Sequence, residues 1–380
     1  MKIGILKERE DSERRVAATP ATIKNFSDLG IEVYVESGAG LAASFTDSAY
    51  EEVGAKISKI PLEIISDADV ILKVQPSPNK YKKNTELAFM KKGAVVVAMM
   101  SPAKNLELFK EYCKKGITSF AMELVPRITR AQSMDVLSSQ SNLAGYRAII
   151  DASYEYQKIF PMMMTAAGTV IPTKLLILGA GVAGLQAIAT AKRLGAVVKV
   201  FDVRPAAKEQ VESLGATFIE VPAEESQELE TKGGYAKEAN EDYKQKQSEL
   251  IHKTLAASDI AVCTALIPGK KAPILITKQM VDDMKPGSVI VDLAAINGGN
   301  CEVTELDKVI NYKGVRIIGY SNYPSRVPTD ASSLYAKNLF NFVKLLYIQE
   351  TKSLRVNLDD EIIKSSLITH NGYIVNDSAR

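Results

Sequence analysis

The chain opens on a short β-rich run, Lys2 to Leu6, followed by a charged stretch from Lys7 to Arg15. A helical pattern then runs from Ala21 to Leu29 and stops at Gly30, with Thr19 and Pro20 placed as N-cap and first-turn proline. β-rich runs return at Glu32 to Glu36, Val70 to Val74 and Ala94 to Met99, each bounded by Gly, Pro or Asp. Short apolar runs alternating with helical patterns predict βαβ units and a mostly parallel sheet.

The second half repeats this rhythm. Apolar Lys174 to Leu178 runs into glycines and then into an apolar helix, Leu185 to Leu194, followed by a strand at Val197 to Phe201. Between Val221 and Ala236 the pattern lapses into a polar stretch without period, either a solvated insertion or a functional lid. A polar helix is expected over Lys237 to Ala257, and another helix over Leu143 to Tyr156. Asp330 to Leu346 reads as a helix too apolar to stand alone on a surface, so it must pack against something. We expect it to bring the chain back to complete the first domain, giving a discontinuous domain of residues 1–138 and 327–380 and an inserted one of residues 139–326.

The segments beginning Asp67-Ala-Asp-Val-Ile-Leu and Met90-Lys-Lys-Gly-Ala-Val resemble Ala257-Ser-Asp-Ile-Ala-Val and Met284-Lys-Pro-Gly-Ser-Val, at offsets of 190 and 194 residues. Helix, glycine and buried strand recur in any α/β protein, so this is either that ordinary recurrence or a duplicated domain. Duplication would make both domains Rossmann-like. The expected class is therefore α/β, with two doubly wound Rossmann-like domains, mostly parallel sheets and a cleft between them.

Composition narrows the partners. A chain of 380 residues suits two domains. Its 47 Lys and Arg against 45 acidic residues leave no footprint for nucleic acid or anionic lipid. Cys113, Cys263 and Cys301 are odd in number and lack C-x-x-C spacing, which argues against a disulfide framework and a zinc site. No metal site is expected. The N-terminus has no secretory pattern, and Leu175 to Ala191 is interrupted by Gly179, Gly181, Gly184 and Gln186, so it fails as a membrane span. The expected setting is a reducing cytoplasm, with no direct membrane insertion.

The chemistry concentrates in two places. Leu178-Gly-Ala-Gly-Val-Ala-Gly184 is G-x-G-x-x-G between a buried strand and an apolar helix, the context in which that pattern binds a dinucleotide. Gly179 permits the tight turn, Gly181 the approach of a pyrophosphate, and Gly184 close packing of helix on strand. Asp202 lies 18 residues beyond Gly184 at the end of the next strand, where a carboxylate grips a ribose 2′-hydroxyl and repels a 2′-phosphate. NAD(H) is the expected cofactor. Arg204 would favour NADP(H) in isolation, but beside Asp202 it is read as a pyrophosphate contact.

The second place is Arg127-Ile-Thr-Arg-Ala-Gln-Ser-Met-Asp-Val-Leu-Ser138, a dense run of donors and acceptors. Taken alone it is either a solvated linker or a loop that holds a nicotinamide ring. No G-x-S-x-G or H-E-x-x-H motif is present, and His252 and His370 stand in polar surroundings typical of surface histidines.

The Arg127 to Gln140 segment, the Gly179 to Gly184 turn and Gly233-Gly-Tyr-Ala together resemble the NAD(H)-binding component of proton-translocating NAD(P) transhydrogenases, with a wider relationship to alanine dehydrogenases. The resemblance implies a homodimer and direct hydride transfer to or from NADP(H) held on a separate component. It also implies a proton-translocating membrane component, which would keep this chain peripheral to the inner membrane on the cytoplasmic side. It places Arg127, Gln132, Asp135 and Ser138 in the loop that positions the nicotinamide end, with Ile128 and Tyr146 supporting it. Gly234 and Tyr235 would belong to a loop closing over the cofactor, and Val182, Asp202, Val203, Arg204 and Leu266 would line the NAD site.

Alanine dehydrogenases resemble the chain at Arg15 and Lys73. The sequence departs from them at Met99-Met100-Ser101-Pro102, where their histidine is expected, and at Ile296, where their catalytic aspartate is expected. Alanine oxidation is therefore not expected. A third reading, an NAD-binding regulatory module without turnover, is separable only by activity with a partner.

Overall fold

A computed structural model describes residues 1–76, 85–221, 241–267 and 270–379. The chain divides into two compact units, Met1–Gln140 with Pro324–Arg380, and Ser141–Tyr323.

Among the described residues the first unit carries an eight-stranded sheet. Its order is Tyr373–Ile374, Leu367–His370, Thr118–Ala121, Val95–Ala98, Val70–Leu72, Lys2–Ile5, Glu32–Glu36, Lys56–Ser58. The six strands from Thr118–Ala121 to Lys56–Ser58 are parallel, and the two C-terminal strands add an antiparallel edge. Among the described residues the second unit carries a seven-stranded sheet in the order Thr217–Ile219, Val197–Phe201, Lys174–Leu178, Ile260–Cys263, Val289–Asp292, Val315–Ile318, Val309–Tyr312. Only the last of these runs antiparallel. Both sheets have the doubly wound Rossmann order, in which the strand sequence reverses beside the first strand and leaves a crevice at the carboxyl ends there. Strands such as Val95–Ala98 are buried along their whole length, as expected where helices cover both faces.

The repeat in the sequence proves to be a structural one. Val70–Leu72 and Ile260–Cys263 each lie beside the first strand of their sheet, followed by Val95–Ala98 and Val289–Asp292. Asp69 accepts from the Lys2 N–H at 2.7 Å, and Asp259 from the Lys174 N–H at 2.9 Å. Each aspartate also takes a lysine ammonium, Lys91 at 2.6 Å and Lys285 at 3.1 Å. The same carboxylate thus fastens the start of the central strand in both units.

The helix read at Asp330 to Leu346 spans Pro328–Leu346 and enters the first unit's core. Phe342 meets Phe120 edge-on with centroids 5.2 Å apart, and Phe340 meets Phe26 at 5.0 Å. Burial of a Phe of this kind contributes about 2 kcal/mol, which explains why so apolar a helix is stable there. The helix expected from Leu143 starts seven residues earlier, spanning Val136–Glu155. Asp135 is the reason, because its side chain accepts the Ser138 N–H at 2.9 Å as an N-cap does.

One element leaves no mark in the hydropathy pattern. Met163–Thr165 and Gly168–Val170 form an antiparallel hairpin in the second unit, with Met162, Met163, Met164, Val170 and Ile171 all exposed. Among the described residues no helix is long and apolar enough to cross a membrane.

Candidate functional site

The glycine-rich turn lies at the carboxyl end of the second unit's central strand. Gly179 has φ +104, a conformation that L side chains rarely adopt, and an added Cβ there would fall 2.5 Å from Thr264 Oγ1. At Gly184 a Cβ would stand 1.9 Å from the Gly179 carbonyl oxygen, so glycine is required for the close packing of helix on turn. Gly181 differs, because among the described residues, its chain neighbours aside, a Cβ there would meet no atom within 4 Å. The fold does not need glycine at that position, whereas an approaching pyrophosphate would. Gly181 is also the N-cap of helix Val182–Arg193 and offers no side-chain cap, which leaves the helix N-terminus free for an anion. The cradle fits a dinucleotide.

Asp202 ends the adjacent strand and is buried, with 9% exposure. Its Oδ2 accepts the Ala180 N–H at 2.7 Å, which ties the acid to the turn itself. Arg204 donates from Nε to Oδ1 at 2.9 Å and from Nη2 to Oδ2 at 2.8 Å. The Arg204 guanidinium therefore sits on the expected ribose acceptor. Val182 and Val203 are partly buried beside these groups, and Leu266 is exposed.

Two supports have no motif to announce them. Thr264 Oγ1 donates to the Gly179 carbonyl at 3.0 Å and fixes the turn from the neighbouring strand. Asn300 is fully buried and brackets Ala265, accepting from its N–H at 3.0 Å and donating to its carbonyl at 2.9 Å, next to Leu266. Asp292 in turn accepts from the N–H groups of Ala294, Asn300 and Cys301 and from the Thr304 hydroxyl. Position at the end of a strand beside the crevice is the signal that singles out Thr264; Asn300 has none in the hydropathy pattern.

In the first unit, Arg127 and Gln132 are exposed while Ile128, Asp135 and Ser138 are partly buried. Both Asp135 oxygens are engaged by Ser138, through its N–H at 2.9 Å and its hydroxyl at 2.6 Å. Ala131 and Met134 are buried and root the Thr129–Met134 turn. Arg130 forms a two-pronged pair with Asp360, both bonds 2.8 Å. Tyr146 is exposed on helix Val136–Glu155, in the second unit. One residue before it, Gly145 leaves room for Ala183, whose carbonyl oxygen would lie 2.0 Å from an added Cβ. Gly234 and Tyr235 lie outside the described residues.

Residues 4–144 match the family model described as alanine dehydrogenase/PNT, N-terminal domain, and residues 148–377 match the one described as alanine dehydrogenase/PNT, C-terminal domain. The chain belongs to the alanine dehydrogenase/PNT family. It is 54% identical over 376 residues to the first part of NAD(P) transhydrogenase subunit alpha of Rickettsia prowazekii, covering 99% of this chain and 96% of that one. It is 53% identical over 375 residues to the protein of the same name from Rhodospirillum rubrum, covering 99% and 98%. The crystal structure of transhydrogenase from Sinorhizobium meliloti superposes with a TM-score of 0.89 at 48% identity, covering 99% of this chain and 100% of that one.

Within the alanine dehydrogenase/PNT fold, the first unit also holds a buried ion cluster. Arg15 is clamped by Glu13 at 2.6 and 2.7 Å and reaches Gln140 Oε1 at 2.8 Å. Lys73 lies 3.3 Å from Glu86 and 4.0 Å from Glu8. Burial pushes the Glu8 carboxyl up to about 7 despite the nearby Lys73 ammonium and the Val74 N–H. Burial also works to raise Glu13, but the Arg15 guanidinium overcomes it and holds that carboxyl at about 2. The segment Met99 to Pro102 carries no ionisable side chain, and Ile296 is exposed on the Ala295–Asn297 turn.

Proposed function

We propose that this chain is the NAD(H)-binding component of a proton-translocating NAD(P) transhydrogenase. It holds NAD(H) on the second unit's glycine turn and orients the nicotinamide with Arg127, Gln132, Asp135 and Ser138. Hydride passes directly to or from NADP(H) on a partner component, and protons move through a separate membrane component. The observation that carries the reading is Asp202, bonded to the Ala180 N–H of the turn at the point where a ribose diol would lie. The near-full-length likeness to two proteins named as the first part of NAD(P) transhydrogenase subunit alpha supports it.

The bound coenzyme supplies the hydride; the chain's own residues need only orient it and exclude water. Transfer of hydride from NADH to NADP⁺ yields NAD⁺ and NADPH with no proton released, so no general base is required. Alanine oxidation does require proton transfer. The side chains at Met99, Met100 and Ile296 offer none, which disfavours an alanine dehydrogenase activity.

A homodimer accords with the apolar hairpin at Met163–Val170, a cluster of exposed Met, Val and Ile that favours a protein partner over solvent. Attachment at the cytoplasmic face of the inner membrane would come through the partner components. Titration calorimetry tests the coenzyme assignment: NADH should bind at least about tenfold more tightly than NADPH. Equal affinities, or alanine-dependent reduction of NAD⁺ by the purified chain, would refute it.

A further inference from the structure

Asn338 lies on the buried face of helix Pro328–Leu346 with 7% exposure, and its amide makes two bonds of opposite sense. Nδ2 donates to the Ser133 carbonyl at 2.8 Å, while Oδ1 accepts from the Ser139 hydroxyl at 2.8 Å. Ser133 directly follows Gln132 in the Thr129–Met134 turn, and Ser139 stands in the first turn of the helix that Asp135 caps. One side chain therefore fastens both ends of the segment 133–139, which carries Asp135 and Ser138 and directly follows Gln132. Asn341, one turn further along, adds a bond of 3.2 Å to the same Ser133 carbonyl. An amide can serve both partners at once; a carboxylate lacks the donor and an aliphatic side chain lacks both groups.

We infer that Asn338 is a positioning residue for hydride transfer, setting where Gln132 and Asp135 stand without touching the coenzyme. The inference rests on the transhydrogenase reading and assigns a role to a residue outside the nicotinamide loop. On that reading the ribose and pyrophosphate are held by Asp202 and the glycine turn, which Asn338 does not touch. Displacing the loop should therefore cost rate more than binding, since a shift near 1 Å is enough to lose on the order of a hundredfold.

The test uses the full chain with its NADP(H) component, reading single-turnover hydride transfer, NADH affinity and melting temperature. Asn338→Asp keeps the acceptor for Ser139 and turns an oxygen toward the Ser133 carbonyl. At pH 8 transfer should fall roughly tenfold to a hundredfold while NADH affinity changes by less than about threefold. Protonating the introduced carboxyl restores a donor, so the variant, unlike the natural chain, should regain rate as the pH is lowered. Should that variant not fold, Ser139→Ala removes the bond to Oδ1, together with the hydroxyl's longer bonds to the Val136 carbonyl and from Gln140 Nε2, and should slow transfer about threefold at unchanged affinity. Wild-type rates in the variant examined, or equal losses of rate and affinity, would overturn the inference. Gln132→Asn, measured alongside, isolates the underlying reading: a slowed Gln132→Asn beside an unaffected Asn338→Asp removes only the role of Asn338, whereas wild-type transfer in Gln132→Asn removes the loop assignment itself.

Discussion

Arg204 grips both carboxylate oxygens of Asp202, two residues earlier in the chain, from Nε at 2.9 Å and Nη2 at 2.8 Å. The acid expected to select NAD(H) is thus already paired, and a ribose diol must share or displace that guanidinium. Removing the acid has two consequences. Asp202→Ala loses hydrogen bonds to a charged group, each contributing about 1.5 to 3 kcal/mol, so NADH binding should weaken roughly tenfold to a hundredfold. It also takes from Arg204 the carboxylate that neutralises it and removes the charge that would repel a 2′-phosphate, so NADPH should gain relative to NADH. Calorimetry with both coenzymes decides; an unchanged NADH to NADPH ratio would place the ribose contact elsewhere.

Two glycines of the turn should respond differently to one methyl group. Gly184→Ala forces a Cβ to within 1.9 Å of backbone and should destabilise the chain by several kcal/mol, on the order of overpacking in a core. Gly181→Ala meets no atom of the described residues beyond its chain neighbours, so its melting temperature should stay within about 2 °C of the natural chain. NADH affinity should nonetheless fall in Gly181→Ala, because the methyl enters the space a pyrophosphate needs. Undiminished NADH binding by that variant would show that the phosphates lie away from the turn.

Glu8 predicts a pH dependence of stability. Its carboxyl is raised from 4.5 to about 7 chiefly by burial, so between those values the folded chain keeps a proton that the unfolded chain releases. The stabilisation is complete below about 4.5 and is lost as the pH rises through about 7, a loss of about 3 kcal/mol. Glu8→Gln mimics the protonated form and should flatten that decline between pH 5 and 8 in denaturant melts. Parallel pH profiles for the two proteins would refute the assignment.

The hairpin supplies a test of assembly. Met164 is 76% exposed within its apolar cluster, and Met164→Glu places a charge there that a packed interface would have to desolvate. Sedimentation should show a dimer for the natural chain and monomer for the variant at micromolar concentration. A variant that remains dimeric would move the interface elsewhere.

Much of the architecture was legible because β-rich runs bounded by turn residues mark the strands: Glu32–Glu36 and Val197–Phe201 have the boundaries the pattern predicts. The repeat was legible for a physical reason as well, since Asp69 and Asp259 each hold the first residue of a central strand and so must recur. The hairpin escaped because its Met and Thr residues are solvated on both faces and leave no alternation. The start of helix Val136–Glu155 was misplaced because Asp135 and Ser138 read as loop polarity, whereas they cap the helix. At the site, the glycines and Asp202 stood out by spacing. Thr264, Asn300 and Asn338 did not, because each bonds groups distant in sequence. The Asp202–Arg204 pairing was likewise hidden, since spacing gives proximity without showing which group Arg204 meets.

The most direct test of the account is stopped-flow hydride transfer between NADH on this chain and an oxidised nicotinamide analogue, with the NADP(H)-binding component present and NADPH bound to it. The mixture should catalyse rapid exchange, and neither protein alone should do so. No transfer in the mixture, despite demonstrated NADH binding by this chain and NADPH binding by its partner, would contradict the account.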